Sequence, residues 1–112
     1  MSNQVIYRYQ ADLCHAMSHP TRMQILHYLF SGPKNVTELV HLCDLSQTTI
    51  SRNLAVLKRA GIVGSQRHGQ EIIYAIANPK IIEVCNMMRQ VISEQLAEQS
   101  ALLSDVDQIK YT

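Results

Sequence analysis

The hydrophobic period changes at Gly61, and this constrains the chain more than any other feature. From Val36 to Ala60 apolar residues recur every three or four positions, whereas beyond Gly61 they fall into short runs of strand character. The helical side divides in two. A short helix from Val36 to Cys43 carries Leu39, Val40 and Leu42 and gives way at Asp44-Leu45. Ser46, a good N-cap, then opens a helix from Gln47 to about Ala60 that Gly61 closes. Two helices joined by so few residues predict a helix-turn-helix. Ile62 to Arg67 and Gln70 to Ile76 then form two strands about a His68-Gly69 turn, so a hairpin wing follows directly.

Helical patterns flank this centre. Val5 to Met17 carries Ile6, Leu13, Cys14 and Met17 at helical intervals, and Pro20 ends it. The segment Ser18 to Arg22 opens the next helix with proline in its first turn, Met23, Ile25, Leu26 and Leu29 form its apolar side, and Gly32-Pro33 stops it. Asn78-Pro79 caps a last helix running to about Leu103, with Ile81, Ile82, Val84, Cys85, Met88, Val91, Ile92 and Leu96 apolar. That stripe is broader than one small domain can cover, and a second copy is its natural cover. Residues 104–112 are expected to form a mobile tail.

With 112 residues there is room for one core. The expected fold class is mainly α with a two-stranded β wing: a single winged helix-turn-helix over residues 1–112, dimerised through its first and last helices. The helix-turn-helix would span about 36–60, the wing about 62–76, and the dimerisation helices about 5–17 and 79–103.

Net charge, formally +1, decides little, but its distribution does. From Leu45 to Gln70 the chain holds Arg52, Lys58, Arg59 and Arg67 and no acid, while Glu94, Glu98, Asp105 and Asp107 gather near the C-terminus. In the fourth helix Ile50, Leu54 and Leu57 share one face, which leaves Thr48, Arg52, Ala55 and Arg59 on the opposite one. Hydroxyls, guanidinium groups and one small residue suit a major groove, where arginine grips guanine and Thr or Gln contacts base edges or phosphates. Arg67, beside the hairpin tip, is placed for an adjacent backbone or minor groove, and His68 adds positive charge there at low pH. The competing expectation is a winged-helix module that binds protein through a merely solvated basic face.

Several strings together resemble the ArsR/SmtB family of bacterial and archaeal repressors. They are Ala16-Met17-Ser18-His19-Pro20-Thr21-Arg22 with Ile25-Leu26, Leu45 to Leu54, Leu57 to Val63, and Gly69-Gln70 with Tyr74. The resemblance covers residues 5 to 95. It implies a winged-helix homodimer that binds double-stranded DNA and blocks transcription until an inducer lowers its affinity. Its DNA-reading residues would be Ser46, Gln47, Thr48, Thr49, Ser51 and Arg52, with Asn53 at a place where the family often carries histidine.

The family's sensing sites do not carry over. Asn35 and Thr37 occupy the places of a metal-binding Cys-X-Cys, and Asn78, Lys80, Val91 and Glu94 those of the ligands between the last helices. His27 and Ser93 stand near the reactive cysteines of persulfide-sensing members. No cofactor or metal is therefore assigned. Cys14, Cys43 and Cys85 have irregular spacing and are expected to be free thiols in a reducing compartment. Cys43 reads as a core residue, whereas Cys14 and Cys85 lie on the expected dimerisation helices. There they either pack or meet to sense thiol chemistry or a soft metal; the other possibility for regulation is control by expression level or by a partner protein. His15 and His19 are four apart, but Pro20 biases His19 out of the helix. No phosphate loop, nucleophile elbow or zinc-hydrolase motif is present, so an enzyme is not expected. The opening Met-Ser-Asn-Gln lacks the character of a signal peptide, and no apolar run nears the roughly 20 residues of a bilayer span, so a cytoplasmic protein is expected.

Overall fold

The computed structural model describes residues 2–97 and residue 99. They form eight elements: α1 (Asn3–Met17), α2 (Pro20–Leu29), β1 (Lys34–Asn35), α3 (Val36–Cys43), α4 (Gln47–Arg59), β2 (Val63–His68), β3 (Glu71–Ile76) and α5 (Lys80–Leu96). The chain separates into two compact units, one reaching Asn78 and the other beginning at Pro79.

The core of the first unit gathers the inner faces of α2, α3 and α4. Ile25, Leu26, Leu39, Ile50, Leu54 and Leu57 are fully buried there, with Leu29, Phe30, Cys43, Ile62 and Val63 closing the cluster. Each of the four helices of this unit starts on a side chain that serves an otherwise unpaired amide. Ser2 accepts from Val5 N at the head of α1, and Ser46 from Thr49 N at the head of α4. At α2 the cap is His19, extended at φ −136° and ψ 130°, whose ring Nδ1 accepts from Thr21 N while Pro20 fills the first helical position. Asn35 and Glu38 form a reciprocal capping box on α3.

Left-handed residues end α3 and α4. Asp44, at φ 56°, ends α3 and sends the chain into α4. Gly61, at φ 79°, ends α4 in a Schellman arrangement, Gly61 N donating to Lys58 O and Ile62 N to Leu57 O.

The expected two-stranded wing is present as β2 and β3, and the sheet extends beyond it. β1 adds a third strand in the order β1-β3-β2, pairing Lys34 with Tyr74 and Asn35 with Ile73. Within the hairpin His68 pairs with Glu71, so the turn residues are Gly69 and Gln70, one position beyond the expected His68-Gly69. Gly69 has φ 64° and Gln70 has no positive φ, the type II′ pattern with glycine at the first central position.

The second unit is described by α5. Pro79 occupies its N-cap position without a side-chain bond, which corrects the expected Asn78-Pro79 cap. The helix closes at Leu96; its expected continuation to Leu103, except for Ala97 and the turn at Gln99, and the tail 104–112 lie outside the described residues. Cys85 is buried, whereas Val84, Met87, Met88, Val91 and Ile92 are exposed.

Candidate nucleic-acid interface

The site is built on α4. Burial of Ile50, Leu54 and Leu57 fixes which face of the helix turns inward, and the opposite face consists of exposed Gln47, Thr48, Ser51, Arg52, Ala55 and Arg59. Lys58 and Arg59 sit in the last turn, where cations complement the partial negative charge of the helix end. Of the residues expected to read DNA, Ser46 and Thr49 are also engaged with each other. The Ser46 hydroxyl accepts from Thr49 N at 3.1 Å and donates to Thr49 Oγ1 at 2.9 Å. They are first of all the cap of α4, and Thr49 is half-buried.

Asn53 lies elsewhere than its neighbours Ser51 and Arg52. It is only 8% exposed, on the inward face between Ile50 and Leu57, so it is not an outward base-reading side chain. Arg67 and His68 are exposed at the end of β2, next to the Gly69-Gln70 turn, and Glu71 pairs with His68 across the hairpin. Asn35 Nδ2 donates to Glu71 Oε1 at 2.9 Å, which holds the wing's nearest carboxylate toward the root of α3.

Three residues outside the expected set organise the site. Lys58 Nζ donates to Ser65 Oγ at 2.7 Å and so joins α4 to β2. Arg22 reaches from α2 to the end of α1 and to Asn53. Asn35, at one place of the family's Cys-X-Cys, serves as cap and strand tie instead. The sequence signal for Arg22 was its position two residues after a helix-opening proline; Lys58 stood out only as one of the basic residues between Leu45 and Gln70 and Asn35 only by its place in the family's Cys-X-Cys, and neither signal pointed to the bonds they make.

The thiols differ in setting. Cys14 is exposed on α1, whereas Cys43 and Cys85 are buried and burial pushes both thiols above their ordinary value, which lowers their thiolate fraction. Among the described residues no group of three or more His, Cys, Asp or Glu comes together as a metal site, and no helix is long and apolar enough to cross a membrane.

Residues 19–65 match the family model described as bacterial regulatory protein, arsR family. The chain is 34% identical over 107 residues to the HTH-type transcriptional regulator Rv0081 of Mycobacterium tuberculosis, covering 95% of this chain and 94% of the relative. It superposes on the crystal structure of Rv0081 with a TM-score of 0.78, covering 86% of this chain and 97% of that one. The transcriptional repressor PagR of Bacillus anthracis is 32% identical over 82 residues, 72% of this chain and 82% of that protein. The solution structure of Mb0332 from Mycobacterium bovis, a homodimeric winged helix-turn-helix DNA-binding domain, superposes with a TM-score of 0.76 at 26% identity, covering 90% of this chain and 94% of that one.

Proposed function

The chain belongs to the arsR family of bacterial regulatory proteins, and from that premise we propose that it is a homodimeric, sequence-specific DNA-binding repressor released from an inverted-repeat operator by an inducer. The observation that carries this reading is the outer face of α4, exposed, cationic and without an acid, opposite a fully buried Ile50, Leu54 and Leu57 stripe. Gln47, Thr48, Ser51 and Arg52 enter the major groove, with Ser46 and Thr49 fixing the first turn from which they project. Arg59, Arg67 and His68 contact the flanking backbone and supply affinity rather than sequence choice.

Homodimerisation is supported by apolar surface on each unit. Val84, Met87, Met88, Val91 and Ile92 on α5, and Ile6, Tyr7 and Tyr9 on α1, are all exposed in a single chain. A twofold pair built on these helices makes one winged helix-turn-helix domain per protomer and presents two recognition helices about 34 Å apart, one turn of DNA. Such a protein works in the cytoplasm beside its DNA and catalyses no reaction.

The test is selection of a preferred duplex from a randomised pool, followed by binding and sedimentation with that duplex. An inverted repeat bound by a dimer is expected, with Arg52→Ala weakening binding by about 1 to 3 kcal/mol at an unchanged melting temperature. A pool from which nothing is enriched would sink this reading.

A further inference from the structure

Arg22 stands in the first turn of α2 and reaches back over the end of α1. Its Nε donates to the Ala16 carbonyl, and its Nη2 lies 3.4 Å from the His15 carbonyl. Both carbonyls belong to the last turn of α1; that of His15 already accepts from Ser18 N and Ser18 Oγ, so the stronger tie is the one from Arg22 Nε to Ala16 O. The remaining arm, Nη1, donates to Asn53 Oδ1 at 3.2 Å, and Asn53 Nδ2 donates in turn to the Thr49 carbonyl at 2.9 Å. Both ends of the buried amide are thus engaged, and turning it over would set its NH2 group against a guanidinium. A continuous chain of bonds runs from the end of α1, through Arg22 and Asn53, into the first turns of α4.

Such a pair adds little net stability over apolar side chains of the same shape. It adds direction. The contacts of Ile50, Leu54 and Leu57 are non-directional and tolerate small rotations of α4 about its axis, whereas hydrogen bonds lose strength steeply when bent. Rotation of α4 decides which of Gln47, Thr48, Ser51 and Arg52 meet base edges.

We propose that Arg22 and Asn53 are positioning residues that set the rotation of α4 against α1, and so determine the selectivity of DNA reading without touching DNA. This rests on the DNA-binding function proposed above.

The experiment uses the full chain, the duplex enriched by the wild type and a scrambled duplex of the same composition. The variants are Asn53→Leu, Arg22→Met and the two combined, each with its melting temperature recorded. Each single variant is expected to lower the preference for the enriched duplex by about tenfold, the scale of one lost base contact. Affinity for the scrambled duplex and its salt dependence should stay as in the wild type, because the charges facing DNA are untouched. The combined variant should lose no more than either single one, since both break the same chain of bonds. A role in stability alone would lower affinity for both duplexes together. Asn53→Asp keeps an acceptor for Arg22 but cannot donate to Thr49 O; it retains a charged partner that favours folding, and it too should lose preference. Folded variants with wild-type preference, or a combined loss equal to the product of the single ones, would overturn the proposal. Failure of the wild type to enrich any sequence would instead remove the DNA-binding function, a result seen before any variant is made.

Discussion

Lys58 Nζ donates to Ser65 Oγ at 2.7 Å, so the last turn of the recognition helix and the first wing strand are joined by a side-chain bond as well as by the chain. Ser65 pairs with Tyr74 across the hairpin, which extends the tie into β3. Ser65→Ala is expected to cost about 0.5 to 1 kcal/mol, a modest sum because Lys58 is exposed and water replaces part of the bond. Its clearer sign should be faster amide exchange over Val63 to His68, with exchange in α2 unchanged. Equal protection of the wing in wild type and variant would show the bond to be incidental.

Arg67 and Arg52 should fail in different ways. Arg67 is an exposed strand residue beside the turn, so Arg67→Ala should weaken binding to enriched and scrambled duplexes alike and reduce the salt dependence by about one charge. Titrations at several salt concentrations decide it; a loss confined to one base pair of the enriched duplex would contradict a backbone role.

Asp44 holds a left-handed conformation, at φ 56°, in which a Cβ is disfavoured. Asp44→Gly should therefore raise stability by about 0.5 to 1 kcal/mol, even after the greater freedom glycine gives the unfolded chain. Asp44→Ala keeps the Cβ without the polar group that tolerates this region, and should lower stability. Urea midpoints of the two variants on opposite sides of the wild type would verify the turn.

Cys14 should be the only thiol alkylated in the native protein near neutral pH, since Cys43 and Cys85 are buried with thiols pushed above the ordinary 9.0. The same burial sets a pH dependence. Native Cys43 and Cys85 keep their protons at a pH where the unfolded chain has released them, so the unfolded state binds fewer protons there. Their contribution to stability is complete below the unfolded value and is lost as pH rises through about 9 and beyond. The urea midpoint of the wild type should fall more steeply above about pH 8 than that of a Cys43→Ala, Cys85→Ala variant. Parallel curves, or alkylation of all three thiols at one rate, would count against it.

The recognition helix was legible in the sequence because its signals are local. Ser46 is a cap by its chemistry, and Ile50, Leu54 and Leu57 mark an inward face by spacing alone. Asn53 was not legible in the same way. An asparagine in a helix suggests an outward side chain, and its burial is made tolerable by Arg22, 31 residues earlier, together with the Thr49 carbonyl one turn before it. β1 escaped notice because two residues carry no period, and its pairing with Ile73 and Tyr74 is decided across the fold. The wing turn shifted by one residue because Gly69 supplies a positive φ at either central place, and the register of β2 on β3 selects between them. The exposed apolar face of α5 was legible as a broad stripe, but Met87 was not among its expected members.

The addition of β1 bears on how the protein behaves when crowded. A bare hairpin of two six-residue strands presents two open edges, each a template for a strand from another molecule. Here β3 is the central strand, its outer edge interrupted by Lys34 and Asn35. The one long free edge is β2, which ends in Arg67 and His68 and contains Gly64. The Arg67 guanidinium and a glycine make that edge a poor substrate for strand-on-strand growth, and Pro33 stands immediately before the short guard strand. Copies of the chain brought to high concentration are thereby discouraged from joining through their sheets into fibrous aggregates, and the wing stays open to solvent at the surface that the function proposed above assigns to a highly charged polymer.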